Sequence, residues 1–261
     1  DERSQPTELS LDDGGTVTLS ASPVGIDVDF IEARARSEET IRRLTGIEAD
    51  KGEGTLLLSV GRTDYTKGGI EQLASFERLL EANPELLGKV RLMHVSVAAN
   101  RNMTAYENIQ NEIEQTAGRI NGRFGTLDWQ PITLISRAIP FVELVSYYRA
   151  ADVAWITPLA DGMNLVCKEF IASRVDGDGV LVLSEFAGAA VELGSAVLTN
   201  PFSNRSMDSA ILSALRMSGE ERRARMAGLR EVVLSNTVRD WKPLRLQMRS
   251  WPAVWRLISI R

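Results

Sequence analysis

Two short stretches carry residue types that could do chemistry. The first is GRTDYTKGG, residues 61–69, which sets Arg62 and Lys67 among glycines at 61, 68 and 69. It follows an apolar run and opens an amphipathic one, so it reads as a loop from strand to helix. Amide dipoles at a helix start, two cationic side chains and a backbone bare of side chains together suit a phosphate. The G-x-x-x-x-G-K-[ST] spacing of a P-loop is absent. The plain alternative is a solvated turn with ordinary surface charges.

The second stretch is DGMNLVCKEF, residues 161–170. Asp161 is acceptor-only and suits sugar hydroxyls. Gly162, Met163, Asn164, Leu165 and Val166 are expected to start a helix, with free N–H groups that favour an anion. Glu169 follows one to two turns later, where a carboxylate can take a ribose diol. The alternative is an N-capping aspartate and a surface glutamate. Both stretches in one sheet describe a diphosphate flanked by two sugars, which is a nucleotide-sugar.

Other candidates carry less. The DVD at 27–29 matches a short metal-binding pattern of glycosyltransferases of another fold, but it lies ahead of the main sheet and such brevity recurs by chance. His94 sits within an apolar strand run and reads as a packed residue. Cys167 lies on an apolar helix face and reads as core.

The elements that must position these residues alternate regularly. TLLLSVGR, KVRLMHVSV, PITLIS, DVAWIT, GVLVLSEFAG and AVLTNP read as strands, most of them apolar enough to be buried on both faces. Between them GIEQLASFERLLEANP, TAYENIQNEIEQTAGRIN, FVELVSYYRAA and NLVCKEFIASR read as helices, and residues 206–234 as two more. Residues 31–50 are helix-like, residues 1–15 read as a loose end, and TVTLSASPVGIDVDFI reads as a strand followed by a proline-glycine turn. The βαβα rhythm predicts an α/β, doubly wound parallel sheet of the Rossmann-like kind, whose ligands bind beyond the carboxyl ends of the strands.

Composition limits the remaining options. The 261 residues carry a net charge of −5, which argues against a nucleic-acid partner. One histidine excludes a multi-histidine metal site, and one cysteine excludes an internal disulfide and suggests a cytoplasmic setting. No apolar run reaches the roughly 18 residues of a membrane helix, and no membrane partner is expected. The last twenty residues hold five basic residues, two prolines and two tryptophans with no acid, and read as a divergent basic tail.

PVGID (23–27), GRTDYTKG, AGRINGRFG (117–125) and ADVAWITPLADGMNLVCKEF (151–170) together resemble the trehalose-6-phosphate synthase family of retaining glycosyltransferases, from about Pro23 to Trp241. VGRTDYTKGG, HVSVAANRNMT, SRAIPF and FSNRSMDSAI resemble its glucosylglycerol-phosphate synthase branch most. The resemblance implies the two-domain GT-B architecture, of which this chain is the C-terminal, donor-binding half. It implies residues 1–22 as a linker from an N-terminal acceptor domain, 23–240 as the nucleotide-sugar domain and 241–261 as the tail.

It further implies glucose transfer from ADP-glucose to glycerol 3-phosphate, a route to a compatible solute, with retained configuration and no covalent intermediate. Arg62 and Lys67 would hold the donor diphosphate, so that neither metal nor cofactor is needed. Asp161 would bind glucose, the backbone of 162–166 glucose and phosphate, Glu169 the ribose, and the backbone at Ile139 the nucleobase. In trehalose-6-phosphate synthases an arginine grips the acceptor phosphate. Here Asn100 stands in its place and Arg101 follows one residue late, which favours a smaller phosphorylated acceptor. Trehalose-6-phosphate synthesis from glucose 6-phosphate, and an inactive nucleotide-sugar-binding fragment, are the alternatives.

Overall fold

The computed structural model describes residues 7–12, 14–19, 23–98 and 104–240. Strands β1 (Thr7–Ser10) and β2 (Thr16–Leu19) form an antiparallel hairpin; β2 is the expected strand, and β1 falls within the 1–15 stretch expected to be a loose end. Thr7 pairs with Leu19, Glu8 with Thr18, Leu9 with Val17 and Ser10 with Thr16, and Gly14, at φ 79°, lies in the turn.

Six strands build the main sheet: β3 (Thr55–Thr63), β4 (Val90–Ala98), β5 (Ile132–Ile135), β6 (Val153–Ile156), β7 (Val180–Ser184) and β8 (Val197–Thr199). All neighbours are parallel, in the order β5-β4-β3-β6-β7-β8, so the doubly wound prediction holds. Among the described residues eight α-helices surround it: α1 (Val28–Ala35), α2 (Glu38–Lys51), α3 (Gly69–Ala82), α4 (Thr104–Phe124), α5 (Phe141–Ala150), α6 (Leu165–Ser173), α7 (Asn204–Arg216) and α8 (Gly219–Ser235). Among the described residues no helix is long and apolar enough to cross a membrane.

The period of two in each strand divides the core into two layers. Leu57, Leu92, Val153, Trp155 and Val182 face the layer of α3, α4 and α7. Leu58, Met93, Ala154, Ile156 and Leu183 face the layer of α1, α5, α6 and α8. Because both faces are covered, the central strands are apolar throughout, which is why they read as continuous runs. The DVD stretch has a local role: Asp27 caps α1 by accepting the Phe30 N–H at 3.1 Å, and Asp29 pairs with Arg239 at 2.6 Å.

Trp155, in central β6, is fully buried, yet its indole N–H has no partner among the described residues. The side chain therefore stabilises by packing alone. Trp155→Ala is expected to cost roughly 3–5 kcal/mol in urea unfolding, and Trp155→Phe clearly less, since no hydrogen bond is lost with the indole.

Candidate functional site

The strand order reverses between β3 and β6, and the loops that follow these strands part at their carboxyl ends. Both sequence-selected stretches lie there. After β3, Asp64 accepts the Thr66 N–H at 2.9 Å and holds a single 3₁₀ turn, Tyr65–Lys67. Gly68 then adopts φ 69°. A Cβ at Gly68 would stand 2.4 Å from the Thr157 carbonyl oxygen, so this loop can reach the β6 loop only with glycine here. The Leu159 N–H donates to the Thr66 carbonyl at 2.7 Å and ties the two loops directly.

Lys67 crosses the gap, its Nζ donating to Asp161 Oδ2 at 2.7 Å. Burial pushes the Asp161 carboxyl up, but Lys67, the Met163 N–H and the Asn164 amide outweigh it and hold the group below its usual value. Arg62 is exposed, with Asp64 at 3.6 Å, and it lines the cleft. A small cavity of about 30 Å³ between the loops is lined by Arg62, Lys67, Gly69, Thr157 and Asn164.

Helix α6 begins at Leu165, not at Gly162 as expected. Its cap is Asn164, which accepts the Cys167 N–H at 3.0 Å and stands at φ 74°, the one positive φ outside glycine among the described residues. Residues 161–164 are thus a turn ahead of the helix. Asp161 is no helix cap: it accepts the Met163 N–H at 3.3 Å and the Asn164 side-chain amide at 3.1 Å. Met163 and Val166 are partly buried against the layer that also supports Ile139, in the loop before α5.

Glu169 lies on α6, one turn in. It accepts the Tyr148 hydroxyl at 3.0 Å. Burial raises its carboxyl above the usual range, and the hydrogen bond works against that rise. Tyr148 itself is buried and its hydroxyl is pushed well above 10. His94 is buried on β4 beneath the start of α3, its Nε2 3.3 Å from where a Gly69 Cβ would be, and burial lowers it to about 4. Cys167 is buried and pushed up to about 12, an inert core thiol. Asn100, Arg101 and residues 241–261 lie outside the described residues.

Sequence reasoning missed several contributors: Tyr148; Asn164 as cap; the buried set Ser59, Gln72 and Thr157; and the turn Gly188–Val191. Gln72 accepts from Ser59 at 2.7 Å and donates to the Trp155 carbonyl at 2.8 Å and to Thr157 at 2.9 Å, so it fastens α3 to both strands of the switch point. A glutamine on the apolar side of an otherwise amphipathic helix was the available signal.

A two-layered sheet with a cation-bearing glycine loop and a carboxylate-bearing turn across its switch point is the Rossmann-like domain of GT-B glycosyltransferases. The profile of "Glycosyltransferase family 20" matches residues 2–248, and the chain belongs to that family. The match runs further at both ends than the motifs alone.

Among curated relatives, glucosylglycerol-phosphate synthase of Picosynechococcus sp. is 46% identical over 225 residues, covering 86% of this chain and 45% of the relative. That of Synechocystis sp. is 44% identical over the same shares. The UDP-forming trehalose-phosphate synthase of Pichia angusta is 39% identical, over 86% of this chain and 48% of its own length. The crystal structure of the UDP-forming trehalose-phosphate synthase of Burkholderia xenovorans with glucose 6-phosphate superposes with a TM-score of 0.87 at 37% identity, over 94% of this chain and 53% of that one. The chain therefore spans about half the length of these relatives.

Glu169 provides a local test. Deleting the Tyr148 hydroxyl removes the bond that offsets burial, so in Tyr148→Phe the Glu169 carboxyl should titrate at higher pH than in the native protein. Carbon-detected NMR of glutamate carboxyls across pH 3–8 reads the midpoint directly (about 4.3 is usual). An unchanged midpoint would mean the hydroxyl does not restrain the charge.

Proposed function

We propose that the protein is a retaining glucosyltransferase that moves glucose from ADP-glucose to glycerol 3-phosphate, and that this chain is its donor-binding half. The observation that carries the donor assignment is the Lys67–Asp161 pair at 2.7 Å, because it joins the cationic loop to the turn with free amides across one cleft. Arg62 and Lys67 take the diphosphate, Asp161 the glucose hydroxyls, the 162–166 backbone glucose and phosphate, Glu169 the ribose, and the backbone at Ile139 the base. Glu169 must be ionised to accept both diol protons, so donor binding should weaken as pH falls through its raised pKa.

Catalysis on this reading is largely electrostatic. As the glycosidic bond lengthens, negative charge grows on the leaving diphosphate, and on this reading Arg62, Lys67 and the free amides of the 161–164 turn stabilise it. Asp161 holds Lys67 until phosphate competes for it, and its own oxygens then turn to sugar hydroxyls. Configuration is retained by delivery of the acceptor on the leaving-group side, with no enzyme nucleophile. The acceptor arrives against a second domain, which we place before this one in the full-length protein.

The preference for glycerol 3-phosphate rests on two supports. Identity is 44–46% to two glucosylglycerol-phosphate synthases and 39% to the Pichia angusta trehalose-phosphate synthase over a similar span. The sequence also has Asn100 and Arg101 where an arginine one position earlier would grip glucose 6-phosphate.

The test is kcat/KM in the full-length enzyme with ADP-glucose or UDP-glucose against glycerol 3-phosphate or glucose 6-phosphate. ADP-glucose with glycerol 3-phosphate is expected to be the best pair. Faster formation of trehalose 6-phosphate would replace the acceptor assignment and leave the family intact.

Arg62→Ala with Lys67→Ala should weaken ADP binding by roughly 1.5–3 kcal/mol per contact in calorimetry. Asp161→Asn should harm glucose transfer more than ADP affinity.

A further inference from the structure

We propose that the 161–164 turn is held in its working shape by a clamp, built from the 3₁₀ turn Gly188–Val191 and the buried Lys168–Glu192 pair, and that these residues position the donor. The inference rests on the reading of that turn as part of the donor site.

The clamp acts through peptide orientation. The Gly188 N–H donates to the Asp161 carbonyl at 2.9 Å, and the Ala189 N–H to the Met163 carbonyl at 2.8 Å. In a trans peptide the C=O and the following N–H point in opposite directions. Tying down these two carbonyls therefore turns the Gly162 and Asn164 N–H groups away from the clamp. Neither N–H has a hydrogen-bond partner among the described residues. Two unsatisfied donors beside a helix start are a ready anion contact.

The same turn contains Asn164 at φ 74°, a conformation that a non-glycine residue keeps only when its surroundings impose it. The approach of the clamp is close: a Cβ at Gly188 would stand 2.1 Å from the Gly162 carbonyl oxygen and 3.2 Å from the Met163 Cα. Only glycine lets the two turns meet.

Lys168 fixes where the clamp sits. It is 1% exposed on α6, between Cys167 and Glu169. Its Nζ donates to the Val24 carbonyl at 2.9 Å and lies 2.6 Å from Glu192 Oε1. Glu192 ends the 3₁₀ turn, its N–H donating to the Ala189 carbonyl at 3.2 Å. One buried ammonium thus ties together α6, which carries Glu169, the 23–26 segment and the clamp. A buried charge is costly unless paired, so stability alone does not require a lysine here; an apolar pair would serve.

That difference makes the test. In the full-length protein, affinity for ADP-glucose is measured by calorimetry beside the melting temperature and the KM of each substrate. Gly188→Ala is expected to raise the dissociation constant for ADP-glucose about tenfold or more. Gly194→Ala, with no atom within 4 Å of the added carbon, is expected to leave it unchanged.

Lys168→Met combined with Glu192→Leu removes both charges. It should keep the native melting temperature within a few degrees yet raise the donor KM about tenfold with the acceptor KM unmoved. A double variant with native donor affinity overturns the clamp, even if Gly188→Ala fails to fold. If the native protein itself binds neither ADP-glucose nor UDP-glucose, the donor-site reading falls instead.

Discussion

The reversal of strand order between β3 and β6 is the constraint on which the rest of the structure depends. In a parallel sheet wound to both sides, right-handed crossovers carry the chain to one layer on one flank and to the other layer on the other flank. The loops after β3 and β6 must diverge, and their strands pair through only Leu57–Val153 and Leu58–Ala154. The opening is then bridged by specific contacts: Thr66 to Leu159 through backbone, Lys67 to Asp161 through charge, and Gln72 from beneath through Ser59, Trp155 and Thr157. Each bridge sits where regular sheet pairing has ended.

Charge in the cleft is arranged in two grades. Lys67 and Asp161 are mostly shielded, so their attraction is weakly screened and fixes geometry. Arg62 is exposed, and its 3.6 Å approach to Asp64 is a weak surface contact. One cation is thus paired and shielded and the other is exposed. For a proposed anionic donor this division has a physical use, because the exposed arginine is accessible to phosphate while the lysine marks its position. Behind them the buried thiol of Cys167 and the neutral His94 offer no rival nucleophile or base, since burial disfavours the charged form of each.

Much of this was legible in the sequence for local reasons. Apolar runs such as LLLSV and VAWI are typical of strands buried on both faces, and their alternation with amphipathic segments predicts a parallel doubly wound sheet. The glycines of GRTDYTKGG and the carboxylates of DGMNLVCKEF announced themselves by type and spacing, and fold logic alone placed both loops at the carboxyl ends of strands. The strand at 16–19 was legible, but its partner at 7–10 was not, because a short polar strand owes its pairing to a turn and not to a hydrophobic period. The start of α6 was misplaced by three residues because Asn164 takes a positive φ that propensity does not anticipate.

Tertiary structure decided what lies between distant residues. Lys67 and Asp161 are 94 positions apart, Lys168 and Val24 144, and nothing in either neighbourhood names its partner. Glycine at 188 looks like any turn glycine until the Gly162 carbonyl stands where its side chain would be. Residue type and period are properties of neighbours along the chain, so the sequence by itself determined the elements, the sheet and the loops with chemistry. Distance, burial and unsatisfied hydrogen bonds arise only when separate segments exclude water from one another, so which charges pair, which amides stay free and which helix residue begins the turn were set by the folded chain alone.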